Sequence, residues 1–411
     1  MRKTIQLTLF SLCLLILLAA LLLFVAPPQA ATAEGAFEVL ATQLNQPRHI
    51  AFGPDGTLYV AEAGSGGDTC INPDPKNPEY MACIGLTGGL TSVTTDGTQE
   101  RIADLYSIAH FFDPAAPPET AGPHDVAIAS SGEMYVLIGL GADPALRDLF
   151  SGGEGQNLGQ LAHVMSDGTW MNMVDVAAYE AAENPDGSLV DSNPYALHLT
   201  GDDSALAADA GGNTLLNVPF DAAITTHTVF PPGSGGWESV PTSIAEDSAG
   251  NYYVGELTGF PYPPGMANVY HVMEGMDPMV HESGFTNIGD IAYDEDGNLY
   301  VLELSKNGLL SGDITGAIIR VAPDGTRTTL VSRPCDMANL TGRELCFPTG
   351  LTVGADGMLY VSNFGVFGAA PPPAPSGQVI RIPPTEPTAV TLGELSASST
   401  RALSAMLALA T

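Results

Sequence analysis

Six short runs along this chain each place a pair of polar or small residues directly after a proline or an isoleucine. The pairs are Arg48-His49, His124-Asp125, Tyr195-Ala196, Thr242-Ser243, Gly289-Asp290 and Thr349-Gly350. His49, His124, Asp125 and Asp290 could hold a divalent ion, calcium or zinc, through imidazole and carboxylate. The same four could serve as an acid–base pair near neutral pH. The wider binding set adds Arg48, Tyr195, Thr242 and Ser243, with Glu238 just ahead of the fourth run's proline. A plainer reading stands beside this one: such residues satisfy turns and channel water. Whether the chain is an enzyme stays open at this level.

These pairs matter only if something brings them together, and the surrounding sequence supplies it. PRHIAFGPDGTLYVAEAG from Pro47 returns as PHDVAIASSGEMYVLIGLG, PTSIAEDSAGNYYVGELTG and PTGLTVGADGMLYVSNFG. It returns with changes as IGDIAYDEDGNLYVLELSKNG and as a degraded PYALHLTGDDSALAADAGG. Each copy is an apolar run, a turn with glycine at its tip, and a second apolar run. That is a hairpin signal, because glycine accepts positive φ without a steric penalty. A third and a fourth run follow most copies, as in Ala317–Val321 and Thr328–Val331. Tyr253 and Tyr300 stand roughly 47 positions apart, the length of one four-stranded propeller blade. Six copies predict a six-bladed β-propeller whose inner strands begin at the polar pairs. Residues 37–44 are expected to supply the outer strand of the last blade, removing an open seam.

A second series sits at the end of each second run: Glu62, Asp209, Glu256, Glu303 and Asn363, with Ile138 in the second copy. A feature repeated blade after blade points to a repeated structural job, the acceptance of backbone N–H groups. Asp294-Glu295-Asp296-Gly297-Asn298 resembles part of a calcium loop, yet its ligand spacing fails and it fills the hairpin-turn slot. Tyr195, Trp237, Phe260 and Tyr262 could wall an aromatic rim, or belong to the core.

The chain opens on Arg2 and Lys3, runs apolar to Ala26, and offers Ala31-Thr32-Ala33 for cleavage. That plan predicts a signal peptide over residues 1–33, with an uncleaved anchor as the alternative, and an extracellular or periplasmic protein. The propeller is expected over 34–384 and a flexible tail over 385–411. Cys70, Cys83, Cys335 and Cys346 bracket two short polar segments. Two local disulfides, Cys70–Cys83 and Cys335–Cys346, are expected, since zinc hairpins use closer gaps. Thirteen basic residues against 46 acidic ones give a net charge of -33. Such a field repels phosphate backbones and anionic lipid. The expected partner is a small molecule or an exported protein at the channel mouth of a monomer, with no nucleic acid and no membrane insertion beyond the leader. No nucleophile elbow, phosphate loop or dinucleotide fingerprint occurs.

Gly122–Ile128 (GPHDVAI), Asn184–Leu197 (NPDGSLVDSNPYAL) and Glu238–Gly265 (ESVPTSIAEDSAGNYYVGELTGFPYPPG) together resemble the ScyD/ScyE family of exported NHL-like propellers. The resemblance spans essentially the whole chain after the leader. It implies export, a six-bladed ring and an accessory or binding role, tied in some members to pigment biosynthesis; it brings no reaction. The alternative is a metal-dependent lactonase or hydrolase of the six-bladed type. Such sites use a Glu/Asn/Asp set at the channel, where this chain presents histidine and arginine. A quinone-dependent sugar dehydrogenase is more distant, because few basic residues are available to hold a tricarboxylate.

Overall fold

The structure is a computed structural model, and it describes residues 37–113, 116–366 and 377–384. The expected leader and tail, 1–33 and 385–411, lie outside the described residues. The strands, β1–β26 in chain order, form six antiparallel sheets, and these are the six blades of a β-propeller. The inner strands are β2 (Pro47–Phe52), β8 (Pro123–Ile128), β12 (Pro194–Leu199), β16 (Pro241–Glu246), β20 (Ile288–Tyr293) and β24 (Gly350–Val353). Each packs against the next, and β24 returns to β2. The ring is closed.

Closure uses the expected strand. β1 (Glu38–Leu44) pairs antiparallel with β26 (Gly377–Ile382), matching Glu38 to Arg381 and Val39 to Ile380. Chain ends far apart in sequence thus share one sheet, with β1 the outermost strand of the last blade.

The apolar core divides as the ring does. Six buried clusters fill the six seams between neighbouring blades. Val60 and Leu58 of blade one, for example, meet Tyr360 and Val379 of blade six. Alternation along each strand sends apolar side chains to both faces, because every blade is sandwiched between two others.

Blade one departs from four strands. β5 (Met81–Val93) and β6 (Gln99–Phe111) run far beyond the blade, and β4 (Thr69–Ile71) and β7 (Glu119–Ala121) extend the sheet to six. The stretch from Gly64 to Gly85 carries β4 and the start of β5, joined by turns over residues 72–80. Cys70 and Cys83 face each other across β4 and β5 and form a disulfide. Cys335 and Cys346 form the second. Two formed disulfides point to an oxidising, non-cytoplasmic compartment. Among the described residues, no helix is long and apolar enough to cross a membrane.

One α-helix occurs among the described residues, α1 (Val176–Glu183), entered directly from β11 (Trp170–Asp175). The Asp175 side chain accepts from Ala178 N and caps its start, while Asn184 at φ 39° ends it. No feature of the sequence reading anticipated it.

Candidate functional site

The inner strands share a local irregularity. In blades one to five the pairing with the second strand slips just after the opening residue, between Pro47 and Ile50, Pro123 and Asp125, Pro194 and Ala196, Pro241 and Ser243, and Ile288 and Asp290. Such a bulge adds a residue to one strand and re-aims its side chains. The residues before the strands are also unusual. Gln46, Val240, Asn287 and Phe347 all have φ between 43° and 58°, a region costly for non-glycine residues and worst for a β-branched one.

The second series holds this entry in place. Glu62 accepts from Asn45 N (2.6 Å), Glu303 from Thr286 N (2.7 Å), and Asn363 Oδ1 from Cys346 N (2.7 Å). Asp209 accepts from Asn193 N (2.6 Å), and Glu256 from Ser239 Oγ (2.6 Å). Each ties the end of a second strand to the turn that launches the inner strand. The repeated structural job is observed. Asp294 likewise accepts from Asn298 N and from the Tyr300 hydroxyl, closing its hairpin as expected of a turn.

Arg48, His49, His124, Asp125, Tyr195 and Asp290 do converge around the axis. His49 Nδ1 lies 3.1 Å from Asp125 Oδ2, and its Nε2 is 3.3 Å from Gly289 O. Both ring nitrogens therefore face acceptors, the pattern of an imidazolium. Burial alone would lower the His49 pKa, but the charges of Asp290 and Asp125 outweigh it and raise the group to about 9. His49 so bridges blade one to blade five across the channel. His124 differs. Its Nδ1 meets Pro194 O at 3.1 Å, and burial together with Arg48 holds its pKa well below the usual value. A Cβ on Gly139 would sit 2.3 Å from His124 Cε1, so glycine is what admits the ring there. Tyr195 packs on both imidazoles, with centroids at 5.4 and 4.5 Å. Phe260 and Tyr262 form a separate edge-to-face pair.

The aspartates act as staples between blades. Asp125 accepts from Val126 N and from Leu197 N of the next blade, both at 2.7 Å. Asp290 does the same with Ile291 N (2.8 Å) and Leu351 N (2.6 Å). Burial pushes Asp290 up to about 7, against the pull of His49 and those N–H groups. Arg48 donates to Gly365 O (2.5 Å) and Thr120 O (3.0 Å), and Thr242 to Ile288 O (2.8 Å). Ser243 is fully buried, its hydroxyl without a partner.

The polar pairs form a largely buried plug. A cavity of ≈ 420 Å³ opens at the other end of the inner strands, with His49, Asp125 and Asp290 reaching its inner end and Phe52, His198, Glu246, Tyr293 and Thr352 among its walls. His198 Nε2 lies 3.1 Å from Glu246 Oε2, across blades three and four. Sequence reading missed those two. The signal was available, since they are the polar residues where neighbouring inner strands end on apolar ones. Glu238 joins neither group; it is exposed, and its electrostatic neighbours are Asp186 and Asp191.

A resident divalent ion does not fit the plug. Its carboxylates are already bonded to backbone N–H groups, and both His49 ring nitrogens face acceptors. Among the described residues, no three His, Cys, Asp or Glu side chains stand in metal-holding geometry.

The chain matches no protein-family profile and no curated protein. Solved structures similar to it include virginiamycin B lyase from Staphylococcus aureus (15% identity, 81% of this chain and 83% of that one, TM-score 0.42). A gluconolactonase from Xanthomonas campestris is similar at 12% identity (87% and 93% covered, TM-score 0.45). The calcium-binding protein regucalcin from Agrobacterium tumefaciens is similar at 12% (86% and 97% covered, TM-score 0.46). These scores are too low to carry chemistry from those proteins to this one.

Proposed function

We propose that the chain is an exported propeller that binds a small molecule in its channel cavity as an accessory protein, with the link to pigment biosynthesis that the ScyD/ScyE resemblance implies. One observation carries this reading: the polar groups at the cavity's inner end are already paired, while its wall groups stay accessible. His49, Asp125 and Asp290 are engaged with each other and with backbone, so none is free to attack a substrate or to activate water. Glu246 is exposed, and His198, Tyr293 and Thr352 are half-buried. A volume of ≈ 420 Å³ falls in the range of small-ligand pockets. Glu246, the exposed carboxylate of the cavity wall, favours a cationic or donor-rich ligand over an anion. The lactonase reading lacks support, because its metal would need ligands that the plug has already engaged.

A ligand-observed NMR fragment screen, balanced between aromatic amines and aromatic acids, tests this. Amines should bind, acids should not, and Glu246→Gln should weaken the amines by about tenfold, roughly one 1.4 kcal/mol step. Hits indifferent to Glu246, or turnover of a lactone by the purified protein, would remove the proposal.

A further inference from the structure

The outer seam between blades two and three holds an open groove of ≈ 600 Å³. One wall is β11 with α1, and the other is the turn that joins β14 (Thr214–Pro219) to β15 (Thr225–Val229). Asp175, Tyr179 and Glu183 are spaced four apart, so the helix turns all three toward one side. The Tyr179 hydroxyl meets Thr226 Oγ1 at 2.9 Å and fastens the helix to blade three. Met173, Val174, Tyr179, Phe220 and Ile224 form the floor, half-buried and packed on the core of this seam. Phe220 is held from below by Tyr135, with ring centroids 4.7 Å apart.

Every charged residue that lines the groove is an acid: Asp175, Glu183 and Asp221. Glu183 and Asp221 are exposed and, among the described residues, take part in no ion pair or side-chain hydrogen bond. Asp175 is engaged through one oxygen only, since Arg147 Nη1 (2.8 Å) and Ala178 N (2.9 Å) both meet its Oδ1. The helix adds to the field. Its carbonyl end lies at Glu183 and its last turn carries no basic residue, so that end attracts a cation. An apolar floor ringed by carboxylates, with no cation among the lining residues, selects for charge and for apolar surface at once.

We propose that this groove binds a hydrophobic organic cation, a primary ammonium carried on an aromatic or alkyl body. The body lies on the floor and removes its apolar surface from water. The ammonium donates to Glu183 and Asp221, whose oxygens have no other donor. Exposed carboxylates are weak ion-pair partners one at a time, so recognition needs the body and the charge together. An anion is repelled by all three acids. The site is separate from the channel cavity, because the two share no lining residue.

Phenylbutylamine is the probe, beside phenylbutanol and phenylbutyrate, which keep the body and change the head group. Met173 is the one methionine that lines the groove, and none lines the channel cavity. Its isotope-labelled methyl in the full chain therefore reports this site by NMR, with Met173→Leu to assign the signal. The amine should shift that methyl saturably, with a Kd of about 1 mM or tighter. The alcohol should bind about tenfold more weakly and the acid not at all. Glu183→Gln with Asp221→Asn should abolish the preference for amine over alcohol. Ala178→Lys sets a tethered ammonium among the acids at an exposed helix position and should block the amine while the melting temperature holds. Glu246→Gln in the channel should leave the Met173 response unchanged. A Met173 shift that does not saturate, that the acid produces equally, or that persists in both groove variants overturns the site. So does amine binding that moves other methionines and leaves Met173 still.

Discussion

Two groups of buried acids sit in this ring and have opposite surroundings. In the channel, Asp125 and Asp290 each accept two backbone N–H groups and flank His49. At the rim, Glu180 and Asp191 keep buried oxygens that accept nothing. The residue types are the same. The channel acids connect blade to blade and are part of what makes the ring, whereas the rim acids are pushed off ionisation by burial and by neighbouring acids. Burial of a carboxylate therefore says little until its partners are counted.

The most severe test opens the ring that holds both groups. Deleting residues 37–44 takes away the strand paired with β26 and opens the seam between blades six and one. The melting temperature should fall by more than ~10 °C, and an unchanged melt would show that the ring does not depend on its closure.

Next, Asp125→Ala leaves a buried imidazolium and an unpaired Leu197 N–H. Urea unfolding should record a loss of about 3–5 kcal/mol. Glu180→Gln should cost nothing or stabilise by up to ~1 kcal/mol. Equal losses from the two variants would erase the distinction between channel and rim.

The subtlest test is pH. His49 has a folded value of about 9 against an ordinary 6.5. Its stabilisation is full below pH 6.5 and is lost as pH climbs through about 9. Glu180, at about 7 against 4.5, disfavours the ionised form, so stability falls as pH rises from 4.5 through 7. Asp290, also at about 7, shares that lower window. Stability should thus drop in two stages, each on the order of 2 kcal/mol. His49→Gln should flatten the upper stage and Glu180→Gln part of the lower. A single stage, unmoved by either variant, would contradict the assignment.

Much of this was legible without coordinates. Turn glycines, tyrosines and apolar runs recur with the blade because each blade must bury two faces and turn at the same places. Ring closure by residues 37–44 followed from counting strands. The acceptor role of Glu62, Glu256 and Glu303 followed from repetition itself, since one ion needs one site and a series needs none. The extra strands of blade one were not legible, because β4 and β7 are three residues each and pair only with the long extensions of β5 and β6. Which strand-opening residues would pair with one another could not be read, because strand order does not say which side of a channel is filled.

The sequence by itself determined the number of blades, the position of each inner strand and the two disulfides, because these depend on local pattern and short range. Tertiary structure alone decided which acids have partners. Leu197 N reaches Asp125, Leu351 N reaches Asp290, and no donor reaches Glu180. Those outcomes depend on packing between blades, where an ångström separates a hydrogen bond from an orphaned charge and no spacing rule can read it.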